Sequence, residues 1–257
     1  MEKSQEVFCL GEGLYRLVQT SGNGAFVDSY LILGSRSALL VDLQRDRGSL
    51  LETVRSLTDL PLEAVVTHAH EDHLGENAAD FFAAGIPVWI FEEELSLFEH
   101  PLYREKAPAG GRYRFLRDGM RFDLGGTVLE VGSVTGHTPR GCMLLEREKG
   151  WLFTGDALGN RSFWMHVPLA ADLGTFRESL GRYLPQIEGV DGLKVFTGHG
   201  IGESCYGKDW IGAVAAETDA ILSGAAAGEQ TEHRFGPCRL LRTEVFPEGF
   251  FYREAES

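Results

Sequence analysis

The chain has 257 residues, 43% of them hydrophobic, and 32 glycines, which suits one large α/β domain with a sizeable core. Its net charge of −14 argues against a nucleic-acid partner, which requires a basic face. Cys9, Cys142, Cys205 and Cys238 are scattered without a C-x-x-C pair, residues 1–10 lack a basic or apolar leader pattern, and no apolar run could span a bilayer, so a cytoplasmic protein with reduced thiols and no membrane partner is expected.

Alternating apolar residues broken by glycine predict strands at Gly13–Gln19, Ala25–Leu33 and Ala38–Val41, forming an antiparallel meander. A helix over Arg47–Leu57 stops near Pro61, and a strand Ala64–Thr67 follows. Next come a helix Gly75–Ala84, a strand Val88–Phe91 and a short helix Glu92–Glu99. Periodicity dissolves over residues 100–121, where Pro101, Pro108, Gly110 and Gly111 mark a loop. This loop carries Arg104, Lys106, Arg112, Arg114, Arg117 and Arg121. It is either a solvated connector or a lid that attracts an anionic substrate.

The second half repeats the style, with strands at Met120–Phe122, Thr127–Val131, Gly141–Leu145, Trp151–Thr154, Lys194–Thr197 and Arg239–Phe246. Helices are expected over Leu173–Leu184 and Asp209–Leu222. Two similar halves would thus share a single domain, residues 1–257. In the extension over residues 230–257, Phe250, Phe251 and Tyr252 need burial, in a second sheet or in a homodimer interface.

The chemistry concentrates in His68-Ala69-His70-Glu71-Asp72-His73, directly after the run Val65-Val66. Residues two apart on a strand share a side, so His68 and His70 can grip one ion while Asp72 and His73, in the turn, face another. Their nitrogen and oxygen donors suit zinc. Three more strand ends deliver a ligand type behind a Thr-Gly pair: Thr135-Gly136-His137, Thr154-Gly155-Asp156 and Thr197-Gly198-His199. A lone histidine is usually structural, but four such strand ends together point to a metal or catalytic role.

H-A-H-E-D-H followed by G-H-T, F-T-G-D and T-G-H-G resembles the metallo-β-lactamase superfamily over residues 68–199. The resemblance implies an α/β fold, the four-layer αβ/βα sandwich. It places His68, His70 and His137 on a first metal, Asp72, His73 and His199 on a second, and Asp156 between both. The bridging aspartate is similar to the glyoxalase II and lactonase branch; true β-lactamases lack it, and His70 stands where flavodiiron reductases carry glutamate. Two divalent ions, zinc with iron or manganese as alternatives, would then hold a bridging hydroxide that attacks an ester, thioester, lactone or phosphoester. Asp72 could also accept a proton if one ion is bound.

The residues that choose the substrate are less legible. The C-G-H-E-Y-T form of glyoxalase II is replaced by Thr197-Gly198-His199-Gly200-Ile201, and Leu158-Gly159-Asn160 stands where quorum-signal lactonases place a tyrosine. Arg161–His166 is expected as a loop, with Phe163 and Trp164 as an apolar wall or as ordinary packing, and Arg161, His166 or Arg140 orienting a polar group. His100 and His233 are expected at the surface. Asp42, after Leu39-Leu40-Val41, is expected to orient a ligand rather than to bind metal itself. Two other readings compete with the hydrolase of a small molecule: an iron dioxygenase resembling persulfide dioxygenases, and a non-catalytic binding protein of the same fold.

Overall fold

The early alternating runs form one sheet in the computed structural model, which describes residues 4–20, 26–46, 48, 50–106, 108, 111–200 and 205–253. The chain divides into two units, Met1–Val131 and Gly132–Ser257. In the first, β1 (Ser4–Gly11), β2 (Leu14–Thr20), β3 (Phe26–Leu33) and β4 (Ala38–Val41) pair antiparallel. After α1 (Leu50–Leu57), the parallel strands β5 (Leu62–Val65), β6 (Val88–Ile90) and β7 (Tyr113–Phe115) complete the sheet, with α2 (Ala78–Ala83) between β5 and β6. The period-2 pattern has a direct cause: Leu17, Leu31, Leu40, Ala64, Val88 and Ile90 form one buried cluster with Leu50 and Val54 of α1 and with Ala78 and Phe81 of α2. The hairpin of β8 (Arg121–Asp123) and β9 (Val128–Val134) follows.

In the second unit, β10 (Gly141–Glu146) and β11 (Trp151–Gly155) form an antiparallel pair. The elements β12 (Ser162–Met165), α3 (Leu173–Tyr183), β13 (Lys194–Thr197), β14 (Tyr206–Gly207) and α4 (Lys208–Leu222) come next. Then β15 (Glu229–His233), β16 (Gly236–Leu241) and β17 (Gly249–Tyr252) join β12 in a separate sheet of order β12-β17-β16-β15. Phe163 and Met165 of β12 and Phe250 and Tyr252 of β17 bury one face of that sheet against Phe176 and Leu180 of α3 and against Val214 of α4. Asp172 caps α3: its carboxylate accepts the Thr175 N–H at 2.9 Å and the Thr175 hydroxyl at 2.7 Å.

The Thr175 hydroxyl, then the Thr175 N–H, hold the Asp172 carboxyl below the usual carboxylate range. A depressed folded-state pKa means that this contribution is present above the unfolded pKa and is lost as pH falls through the folded one. Asp172→Ala should therefore cost about 1 kcal/mol near neutrality, and the difference from the parent in urea unfolding should vanish in acid.

Several boundaries differ from expectation for physical reasons. The helix expected from Gly75 begins at Ala78, because the N–H groups of Gly75 and Glu76 are taken by the Gln44 and Arg45 carbonyls. Arg47, Ser49, Ala25 and Ile201, and residues 107, 109 and 110 of the basic loop, lie outside the described residues. The loop over 100–121 is not structureless: it contains a 3-10 turn, Arg104–Lys106, and β7. Residues 161–166, expected as a loop, include β12. Phe163 is 0% exposed in the core, so it is packing and not a pocket wall. The strand expected over Arg239–Phe246 ends at Leu241, where Thr243 turns the chain by accepting the Phe246 N–H and donating its own to Phe246 O. β1, β15 and β17 were not anticipated; β17 provides the burial that Phe250 and Tyr252 needed. No helix among the described residues is long and apolar enough to cross a membrane.

Candidate metal ligands

Parallel pairing places the turns of the first unit that carry the candidate ligands. Val41 of β4 is opposite Val65 of β5, so the residues just beyond each strand come together. Asp42, 2% exposed, accepts the Thr67 N–H at 2.7 Å through Oδ1. Its Oδ2 accepts the Thr67 hydroxyl at 2.9 Å and lies 2.8 Å from His73 Nδ1. Because that hydroxyl gives its hydrogen to Asp42, its oxygen is left to accept from His68 Nδ1, 3.1 Å away. These partners assign the hydrogen of both imidazoles to Nδ1, leaving each Nε2 lone pair for a metal. Asp42 thus orients His73 directly and His68 through Thr67, in the role expected of it.

The three imidazoles are neighbours, with ring centroids 4.8 Å apart for His68 and His70 and 4.0 Å for His68 and His73. His68, His70 and His73 are buried, whereas Asp72 is partly exposed, 3.9 Å from the Arg45 guanidinium. Gly75 closes the turn where no side chain fits: a Cβ there would lie 2.2 Å from Arg45 O and 2.4 Å from Gln44 O.

The second unit repeats the principle. Gly155 of β11 pairs with Thr197 of the parallel β13, so Asp156 and His199 leave adjacent strand ends. Asp156 Oδ2 lies 3.2 Å from His199 Nε2 and 3.7 Å from His137 Nε2. His137 Nδ1 is 2.7 Å from the carbonyl oxygen of Trp164, which can only accept, so the His137 hydrogen sits on Nδ1 and its Nε2 carries a lone pair. A lone pair and a carboxylate oxygen facing each other repel unless a cation lies between them. This donor set fits a divalent ion. Asn160 donates to His199 O at 2.5 Å and fixes the turn below it.

All seven residues, His68, His70, Asp72, His73, His137, Asp156 and His199, belong to groups that could hold a metal ion. Besides the Thr67 hydroxyl and the Trp164 carbonyl, two side chains escaped the sequence reading. Glu94, 0% exposed, accepts the N–H of Ala69 at 3.0 Å between His68 and His70; nothing marks it within the acidic run Glu92–Glu94. Tyr103 is 5% exposed, with its ring 5.3 Å from that of His70, in a stretch that reads only as loop. Of the basic residues there, Arg104 donates to Glu99 O and Arg114 lies over the Trp89 ring. Arg161 pairs with Glu248 at 2.8 Å and Arg140 donates to Ser133. His233 is not an isolated surface group: its Nδ1 is 2.7 Å from His166 Nε2.

The sequence profile of the metallo-beta-lactamase superfamily matches residues 22–199, the greater part of the chain. The chain belongs to this superfamily. Among curated relatives, an acyl-coenzyme A thioesterase of Gallus gallus, MBLAC2, is 26% identical over 220 residues, 74% of this chain and 78% of that one. The solved metallo-beta-lactamase from Pontibacter korlensis matches with a TM-score of 0.66 at 20% identity, covering 84% of this chain and 99% of its own. A beta-lactamase domain protein from Burkholderia ambifaria gives 0.66 at 22% identity, over 88% and 77%. At such identities the two structures establish the fold alone: the superfamily's mixed α/β arrangement of sheets and helices.

Proposed function

We propose that this superfamily member is a metal-dependent hydrolase whose substrates are small acyl thioesters. His68, His70 and His137 would hold one divalent ion, Asp72, His73 and His199 a second, with Asp156 shared; zinc suits these donors. The observation that carries the reading is the set of Nδ1 partners, Asp42, Thr67 and the Trp164 carbonyl, which turn the Nε2 atoms of His73, His68 and His137 toward ligation. Among the ester-like substrates that such a centre could attack, the thioesterase relative favours the thioester. On this reading both units belong to one catalytic domain.

Bound divalent ions would supply Lewis acidity and water acidified to a pKa of about 7. The chain does the positioning. Asp42 and Thr67 hold two imidazoles at fixed angles, and Glu94 anchors the peptide between His68 and His70. Asp156 supplies negative charge beside His137 and His199. Asp72, the most accessible carboxylate of its turn to carry a ligand role, could take a proton from the attacking water when one ion is bound. The test is metal quantification with a panel of thioester, ester, lactone and phosphodiester substrates. Two zinc ions per chain and thioester hydrolysis abolished by His70→Ala are expected. A single redox-active iron, or hydrolysis unchanged in that variant, would overturn the proposal.

A further inference from the structure

The β15–β16 hairpin carries a cavity that the reading above does not use. It has a volume of about 570 Å³ and is lined by Gln230, Thr231, Glu232, Pro237, Cys238, Arg239 and Arg253, a size suited to a small ligand group. In a chain of net charge −14, two guanidinium groups against one carboxylate make this lining locally basic. Arg239 is fixed by donating to Gly228 O at 3.1 Å. Thr231 and Gln230 add neutral donors, and guanidinium forks match phosphate oxygens.

A second observation lies alongside it. His166 is 1% exposed and its Nδ1 has no hydrogen-bond partner among the described residues, while its Nε2 engages His233. Burial, followed by His233, Arg253, His137 and Arg234, pushes His166 down to about 3. His233 is lowered by burial and then by Arg234. Arg253, which also lines the cavity, and Arg234 place positive charge beside these imidazoles, a setting that favours an anion. Arg234 does so from a preset position, 5.2 Å above the Trp164 ring and 4.7 Å above that of Phe235. Trp164 is also the residue whose carbonyl holds His137, so one sheet carries both the cavity and a candidate ligand's anchor.

We propose that this cavity binds a phosphate group at the far end of the substrate, which makes the preferred substrate a phosphorylated thioester of the coenzyme A type. The proposal rests on the thioesterase reading for the link to catalysis, but not for binding. Adenosine 3′,5′-bisphosphate, the phosphate-bearing end of such a thioester, should bind the full-length metal-loaded protein in calorimetry. Arg253→Ala, an exposed change, should weaken that binding at least tenfold; adenosine should not bind. In parallel, Arg253→Ala should raise KM for acetyl-coenzyme A at least ten times more than KM for the acetyl thioester of N-acetylcysteamine, which lacks phosphate. Bisphosphate binding that depends on Arg253, with neither thioester hydrolysed, would support the cavity and sink the thioesterase reading. Hydrolysis of both thioesters with bisphosphate affinity unaltered in Arg253→Ala would sink the cavity alone. Displacement of the bisphosphate by equimolar inorganic phosphate would also overturn the proposal, since it would mark a site for free anion.

Discussion

Asp156→Asn should lower kcat/KM for thioester hydrolysis by a factor of about 10³ or more, equivalent to about 4 kcal/mol of transition-state stabilisation. The substitution keeps size and one oxygen but removes the charge that lies 3.2 Å from His199 Nε2 and 3.7 Å from His137 Nε2. An amide turned the other way would even present hydrogens to nitrogens that must keep their lone pairs. Metal content per chain should fall together with activity, while the circular dichroism spectrum stays that of the parent, because Asp156 is outside the packed core and partly exposed. A variant retaining full metal content and activity within threefold of the parent would remove Asp156 from the centre.

Asp42→Ala should produce the largest loss of stability. It withdraws the acceptor from three donors at once, the Thr67 N–H, the Thr67 hydroxyl and His73 Nδ1, all buried. Each donor stranded in a buried setting costs about 1–3 kcal/mol. Asp42 also sits at φ 64°, where alanine pays about 1 kcal/mol that a short polar side chain largely avoids. A total of at least about 3 kcal/mol corresponds to a melting point lower by roughly 6–12 °C in a chain of this size. Asp42→Asn keeps the backbone preference and one acceptor. It should melt closer to the parent yet bind zinc about 10–100-fold more weakly, measured by competition with a chromophoric chelator. Equal zinc affinity in the parent and Asp42→Asn would show that Asp42 serves folding only.

Sequence reading reaches both of these residues and stops short of much that surrounds them. Ligand types at strand ends are local, dense and chemically unusual, so His68 to His73, His137, Asp156 and His199 stand out from the chain alone. Lys194–Thr197, buried at Val195, Phe196 and Thr197, is legible as a short apolar run. What supports these candidate ligands is mostly not local. Glu94 reaches Ala69 across 25 residues and the Trp164 carbonyl reaches His137 across 27; neither a glutamate in an acidic run nor a main-chain carbonyl announces a partner. β12 was hidden because its inward residues, Phe163 and Met165, are too few to establish a period, and its neighbour β17 arrives more than 80 residues later in the chain. β1 was hidden because Val7, Phe8 and Cys9 are exposed on an edge strand, so no buried face imposes alternation.

The docking of the 68–75 turn onto other segments has a consequence for protein engineering. Its geometry is imposed from outside: by Asp42, by Glu94, and by the Gln44–Arg45 main chain that meets Gly75 too closely for any side chain. The histidine motif is therefore not a portable cassette. Spliced onto a strand of an unrelated scaffold it would keep its donor atoms and lose their aim, unless the loop after β4 and the 3-10 turn Glu92–Glu99 were transplanted with it.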